Sequence, residues 1–548
     1  MDLYAPVARK GVESMSIANQ QHKVRSTNRF LSGVSVLTVS ALIVKVIGLF
    51  YKIPLLRCLG TEGMGYFNTA YELYALFCVI STAGLPVAMA VLIARAEAGG
   101  QTQTVRRIYR TALWTFLALG ATGSLILFGF SEPLSNFLKN PDAATCLRFI
   151  SPTVFLICLS GAGRGFFQGK GSMLPTAISQ VIEALGKLIL GLLFAVTALH
   201  NQCSIPVTAA FAVLGLTVGT GVSALYLTVH TWVAGRCESR GDLRDKTEIA
   251  EQGKGIFKEL MATAVPITLS SGLISLTKLL DVGLILGRLQ STGYSAALAN
   301  SLYGCYSTLA VPIFNILPTL TSSVALSVVP ALSSALQRRK ENTDEVHRVL
   351  LSAFRLTLWL AIPAAMGLFV YAGDILGILF SGEPDAVAAA TPWLRVLALS
   401  VPAACLVSVC GAMLQTVGCA RIPLYAMMVG VVCKIGCAWW ILGNPKWGMM
   451  GAPVSSLLCD TVIVCVELFF LGKRIPESRM SPAEGAAIFL LPALLAGVSL
   501  FAVALLFART AVSDSGWLSL TRIITVAAVY GIMAGAAYLL AGRRRNRA

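Results

Sequence analysis

Charge is scarce in this chain, and acid is scarcer than base. Of 548 residues only 13% are Asp, Glu, Lys or Arg, whereas 56% are hydrophobic, a balance that a water-exposed globular surface could not carry. Histidine is rarer still. His22, His200, His230 and His347 are scattered, three of them at or outside the ends of apolar runs, so an embedded metal centre or an acid–base relay has little to use. The glycine-rich piece Gly161-Ala162-Gly163-Arg164-Gly165 follows an apolar helical stretch rather than a strand and lacks the Lys-Ser/Thr of a phosphate loop. Helix packing or a hinge explains it better, and no ATP site is expected. The 14 cysteines lie almost entirely inside apolar runs, without ligand-like spacing, and read as small packing residues. Residues 1–29 are polar and hold no short apolar h-region, so no cleaved signal peptide is expected. Together these absences point away from an enzyme, a metalloprotein and any cofactor.

What the chain has in abundance is long apolar runs. Fourteen are long enough to span a bilayer: 30–57, 65–93, 110–131, 146–168, 175–199, 207–233, 257–287, 296–335, 350–372, 388–416, 422–442, 449–471, 484–508 and 518–541. A crossing helix needs about 20 residues, and in lipid every backbone polar group must be satisfied inside its own element. With no alternating pattern for barrel strands, the expected fold is an all-α polytopic membrane protein of 14 transmembrane helices. The sequence also repeats itself. Asn68, Tyr71, Tyr74, Leu85 and Pro86 return as Asn300, Tyr303, Tyr306, Leu317 and Pro318, 232 positions on. Arg110, Leu113 and Trp114 return as Arg355, Leu358 and Trp359 at an offset of 245, and Gln168, Gly171 and Lys187 as Gln415, Gly418 and Lys434 at 247. Two homologous lobes with a site at the repeat is the construction of secondary transporters. The expected organisation is a segment 1–29, an N-lobe 30–233 (spans 1–6), a loop 234–256, a C-lobe 257–471 (spans 7–12), two further helices within 484–541 and a basic tail 542–548.

The net charge of +17 is mostly a topology signal. Arg106-Arg107, Arg236 to Lys258, Arg338-Arg339-Lys340 and Arg543-Arg544-Arg545 all fall on one side of the expected spans, which places both termini in the cytoplasm and the chain in the cytoplasmic membrane. Each basic run flanks a span, so nucleic acid is not an expected partner. Ionisable groups inside the spans are the candidates for function, because each costs about 2.5–3.5 kcal/mol to insert and should face a cavity or a partner. Lys45 and Lys52 share a face of span 1; Gln180, Glu183 and Lys187 line one face of span 5; Lys278 and Asp281 are an i,i+3 pair on span 7. Lys434, Glu72 and Asp460 complete the set. Arg148, Arg355, Arg395 and Arg522 lie near span ends and can snorkel. Glu183 with Lys187 could simply neutralise each other. Lys45, Lys187, Lys278 and Lys434 leave an interior with a positive excess, and a substrate role is expected for them. Pro86, Pro312, Pro318, Pro363 and Pro402 are expected to kink their helices.

The residues also resemble a family. Leu42-Ile43-Val44-Lys45-Val46-Ile47-Gly48, Ile53-Pro54-Leu55, Leu59-Gly60-Thr61-Glu62-Gly63 with Tyr66, Ser81 to Ala88, Arg164-Gly165-Phe166-Phe167-Gln168-Gly169, Pro175 to Glu183, Leu302-Tyr303-Gly304, Pro312 to Asn315 and Val329-Pro330-Ala331 look like polysaccharide biosynthesis proteins of the multidrug/oligosaccharidyl-lipid/polysaccharide flippase superfamily. The resemblance covers roughly residues 30–475 and is nearest the stage V sporulation protein B-like branch. It implies an alternating-access cavity that takes an undecaprenyl-type lipid-linked sugar diphosphate, and two extra C-terminal helices that guide a lipid tail. Lipid II flippases of this superfamily are expected to carry arginines on spans 1, 2 and 8, whereas here span 1 has Lys45, Lys52 and Arg57, span 2 has Glu72 and span 8 has no central cation. Arg164 joins the candidates through its motif. The expected function is a flippase of lipid-linked envelope precursors. The alternatives are a drug/cation antiporter of the same fold, which would want an acidic or aromatic cavity, and a non-transporting membrane scaffold, which would need no internal charge. Expected partners are that lipid, the surrounding membrane lipids and a coupling cation, H+ or Na+, since without ATP the return step must draw on the membrane potential, an ion gradient or substrate concentration.

Overall fold

The computed structural model describes residues 5–238, 249–338, 343–476, 481–508 and 516–545. The middle of the loop expected at 234–256, Arg339 and Lys340 of the third basic cluster, and the last three residues of the tail lie outside the described residues. All regular structure among the described residues is helical: α1 (Ala5–Thr82), α2 (Leu85–Ala98), α3 (Thr102–Gly129), α4 (Ser131–Phe137), α5 (Ala144–Gly169), α6 (Leu174–His200), α7 (Ile205–Glu238), α8 (Ile249–Ser291), α9 (Ala296–Cys305), α10 (Val311–Gln337), α11 (Thr343–Val370), α12 (Ala372–Leu379), α13 (Pro384–Thr416), α14 (Arg421–Leu442), α15 (Gly451–Arg474), α16 (Pro482–Ala508) and α17 (Gly516–Arg545). Among the described residues, twelve stretches are long and apolar enough to cross a membrane. One of them, Val39–Ala98, runs through both of the first two expected spans, and the last expected span holds the shorter apolar helix Leu520–Ala534. The chain is a multi-pass membrane protein.

Glycine and proline set the breaks. Gly60, at φ 65° and ψ 179°, divides α1 into two helices; only a residue without a Cβ takes this conformation readily. Pro86 and Pro312 open α2 and α10 rather than kinking a helix interior, while Pro318, Pro363 and Pro402 do lie inside helices. Between α9 and α10 the chain makes a π turn, Tyr306–Ala310, in which the Val311 amide bonds back to the Tyr306 carbonyl. Pro312 has no N–H for the carbonyl four residues before it, and the wider turn accommodates that loss. The repeat is visible in backbone geometry. Gly171 and Gly418 both sit in the left-handed region, at φ 72° and 80°. Each closes its helix with a bond to the carbonyl of Gln168 or Gln415, 3.0 Å in both cases.

The contacts divide the chain into two compact units. Unit 1 comprises Met1–Cys58, Thr69–Asn136 and Pro141–Leu279, and unit 2 comprises Leu59–Asn68, Phe137–Asn140 and Leu280–Ala548. In unit 1, α2, α3, α5, α7 and the first part of α8 share a core around Met89, Ile93, Phe116, Phe166, Leu227 and Leu260. α6 and α7 approach backbone to backbone: a Cβ on Gly219 would stand 2.8 Å from the amide nitrogen of Lys187. Small residues allow this contact, and in lipid it is close packing rather than water exclusion that holds helices together.

In unit 2 the core joins α10, α11, α13, α15 and α16 around Leu332, Leu350, Phe354, Met413 and Ile488. Residues 61–68 pack on residues 300–308 of the same unit through small and polar side chains. The Thr61 and Ser301 hydroxyls are 2.6 Å apart, Asn68 donates to Ser307 and Thr308, and Asn300 donates to the Glu62 carbonyl. Gly304 lies against the backbone of Thr61 and Gly65. At the last two helices, His347 meets Glu484 at 3.0 Å and the Tyr530 hydroxyl donates to the Trp359 carbonyl.

Candidate functional site

Unit 1 gathers eight of the ten residues picked out above: Lys45, Lys52, Arg57, Glu72, Arg164, Glu183, Lys187 and Lys278. Lys187 is the most enclosed of its lysines in aromatic terms. The ammonium stands 4.4 Å from the centre of the Tyr71 ring and 5.2 Å from that of Tyr51, which is cation–π range. Tyr51 is itself buried and reaches the Ala212 carbonyl on α7 with its hydroxyl. Lys52 lies within electrostatic reach of Lys187, Lys278 and Glu72, and Lys45 within reach of Lys278. Lys45 and Lys278 are exposed along their helices, Lys52 and Lys187 half-buried. Arg57 is exposed in the last turn before the Gly60 break.

Arg164 and Glu183 form an ion pair in unit 1. The guanidinium donates to the Glu183 carboxylate at 2.7 Å and to the Ser179 hydroxyl at 3.1 Å. Glu183 is therefore held across α5 and α6, and the expected neutralisation of Lys187 by its own helix neighbour is not the main contact: Lys187 turns to the tyrosines. Six cations share unit 1 with two acids of the set, so the cluster keeps a positive excess.

Unit 2 holds Asp281 and Lys434, and with them Asp460. Lys434 on α14 donates to Asp281 on α8 at 2.5 Å. Asp281 thus takes its cation from 153 residues away rather than from Lys278, one turn back. The physical reason is burial: Lys434 is 9% exposed, and an enclosed ammonium needs a carboxylate far more than a wet one does. Asp460 on α15, which accepts from the Ser400 hydroxyl at 2.7 Å, and Tyr306 of the π turn lie in electrostatic reach of this pair. Sequence reasoning named Tyr71 only as a repeat residue and did not single out Tyr51 or Ser400. The tyrosines stand next to Lys52 and Glu72 in the chain, but no pattern says which cation their rings will meet.

Apolar helices with an internal repeat, and charged side chains enclosed between them, define a membrane transporter of the two-lobed kind. A family model for polysaccharide biosynthesis proteins matches residues 30–336 and a MatE model matches residues 306–440; the chain belongs to the polysaccharide biosynthesis protein family, within the MOP superfamily of flippases and transporters. It is 26% identical over 456 residues to stage V sporulation protein B of Bacillus subtilis (strain 168), covering 82% of this chain and 85% of that one. It is 22% identical over 539 residues to the lipid II flippase MurJ of the same organism, covering 94% and 96%. Among solved structures, a lipid II flippase MurJ in an inward closed conformation superposes with a TM-score of 0.66 at 15% identity, covering 92% of this chain and 98% of that one. The relatives are flippases and transporters, and the chain is a transporter rather than an enzyme.

Proposed function

We propose that the protein flips undecaprenyl-type lipid-linked sugar diphosphates, precursors of the cell envelope, across the cytoplasmic membrane by alternating access. The observation that carries this reading is the excess of cations in unit 1, where Lys45, Lys52, Lys187 and Lys278 outnumber Glu72, the acid among them. A sugar diphosphate cannot cross hydrocarbon unaided, and a cationic, hydrated surface lowers that barrier. Lysines present point charges on flexible stems, suited to an anion that must be released again, where an arginine fork would fix one geometry. The names of the relatives, a lipid II flippase and a sporulation protein, support a lipid-linked sugar as cargo. A drug/cation antiporter would want an acidic or aromatic cavity, and of its acidic candidates Asp281 and Glu183 are already engaged by Lys434 and Arg164.

The test is leaflet-to-leaflet movement of a fluorescent polyprenyl-diphosphate sugar in proteoliposomes, read by a membrane-impermeant quencher. Lys45→Gln and Lys278→Gln should each abolish it without loss of folded protein, and Lys45→Arg should keep more of it than Lys45→Gln. Normal translocation by a stable Lys45→Gln or Lys278→Gln protein would sink the assignment.

A further inference from the structure

Among the described residues, Glu467 is the one acid on α15 with no cation and no hydrogen-bond partner. It is 1% exposed, and its Oε2 is fully enclosed without a donor. The surface beside its Oε1 comes from α13 and α14. A Cβ placed on Gly411 of α13 would sit 3.5 Å from Oε1 and 3.9 Å from Pro423 of α14, and proline has no N–H to give.

The repeat explains why the place is bare. The offset of 247 that links Gln168 to Gln415 also links Pro206 to Pro453, and it carries Arg164 onto Gly411, Glu183 onto Gly430 and Thr220 onto Glu467. In unit 1 this position holds an arginine with its carboxylate at 2.7 Å. In unit 2 the arginine has become glycine, and a carboxyl group reaches toward the vacated position from the neighbouring helix. The titratable and charged groups on the packed helices are otherwise occupied or distant. Cys410 of α13 is the titratable group that faces Glu467. Lys434 of α14 is bound to Asp281, Asp460 of α15 is held by Ser400, and Arg395, Arg421, Lys473 and Arg474 are exposed. An ionised carboxylate enclosed without a cation is far costlier than a neutral acid.

We propose that Glu467 is a proton site: its carboxyl group carries a proton while α15 is packed on α13 and α14, and releases it to water when that packing opens. The ligand is H+, because an enclosed carboxyl with about a methyl group of free space beside it has no room for a hydrated metal ion. The site would supply the coupling ion that a transporter without ATP needs for its return step. That coupling rests on the flippase reading, whereas the proton site itself does not.

Two measurements on the full-length protein separate them. Infrared spectroscopy of the wild type at neutral pH should show the carbonyl stretch of a protonated carboxylic acid, shifted in D2O and lost in Glu467→Gln, an isostere of the neutral acid and so compatible with folding. Superimposable spectra of wild type and Glu467→Gln would overturn the proton site. In proteoliposomes carrying a fluorescent polyprenyl-diphosphate sugar, an imposed pH gradient should change the translocation rate of wild type and of Glu467→Asp. In Glu467→Gln the ratio of rates with and without the gradient should fall to one. An unchanged response in Glu467→Gln would overturn the coupling even with the infrared band present. A wild-type protein that moves no such lipid would overturn the flippase reading and the coupling with it, and the band alone would then decide the proton site.

Discussion

Replacing Asp281 by Asn leaves the Lys434 ammonium enclosed without its carboxylate. Breaking a buried pair by removing one partner costs about 3–5 kcal/mol, most of it the penalty of the stranded charge. The side chains here are 11% and 28% exposed, and Asp460 remains in electrostatic reach of Lys434, so the low end applies, about 3 kcal/mol. Removing the lysine instead, in Lys434→Met, strands a carboxylate that water can approach from the Asp281 side, and the loss should be smaller, about 1–2 kcal/mol. The double variant has neither charge and should recover most of the loss, because two neutral groups of similar volume pack without desolvation cost. In detergent or lipid nanodiscs, followed by tryptophan fluorescence, Asp281→Asn should lower the apparent melting temperature by roughly 6–12 °C, at about 2–4 °C per kcal/mol. The double variant should melt above Asp281→Asn. An Asp281→Asn protein that melts with the wild type, or a double variant in which the two losses simply add, would refute the claim that this pair is a coupled, enclosed unit.

The same logic applies in unit 1: Arg164→Leu strands Glu183, whose side chain is 19% exposed, and should cost about 3 kcal/mol, largely restored by adding Glu183→Gln; equal melting of single and double variants would contradict it. Gly304→Ala should lower the melting temperature and the folded yield, because its Cβ would overlap the backbone of Thr61 and Gly65, whereas Gly377→Ala, with nothing within 4 Å, should be neutral or stabilising. A fluorescent protein fused after the basic tail should fold and fluoresce, and an alkaline phosphatase fused there should be inactive, if the tail is cytoplasmic as its arginines require; the reverse pair of results would invert the topology.

One turn of the repeat was legible in the sequence because it is written in residues whose backbone roles cannot be substituted cheaply. Gly171 and Gly418 both need a left-handed φ, and identical residues at one offset mean identical turns. Helix breaks were partly legible. Pro312 announced a disturbance but not its form, since hydropathy averages over a window and a π turn is a matter of one residue. Gly60 lies between the first two expected spans, 30–57 and 65–93, and the stretch Ala5–Thr82 divides into two helices there. Side-chain partners were the least legible. Local spacing proposed Lys278 for Asp281 and Lys187 for Glu183; the structure brings Lys434 and Arg164 instead, from other helices. Spacing along a helix says which groups share a face, while partnership depends on which cation is more deeply enclosed, and that is decided by the packing of α5, α6, α8 and α14.

The two units differ in the balance of their charged candidates, and the difference has a mechanical consequence. In unit 2 the enclosed cation is matched by a carboxylate at 2.5 Å, so this pair offers a membrane potential little net charge to act on. In unit 1 Lys45, Lys52, Lys187 and Lys278 outnumber their acids, and each elementary charge of that excess moved through the field is worth about 2.3 kcal/mol per 100 mV. An empty carrier is then biased by the potential toward the state that keeps these lysines nearer the negative side. A bound diphosphate cancels part of that charge and weakens the bias, which is the condition for carrying cargo the other way. The lysines of unit 1 would thereby serve both as the grip on the head group and as the sensor of whether it is present, while Glu467 in unit 2 would leave the proton as the variable charge that resets the cycle.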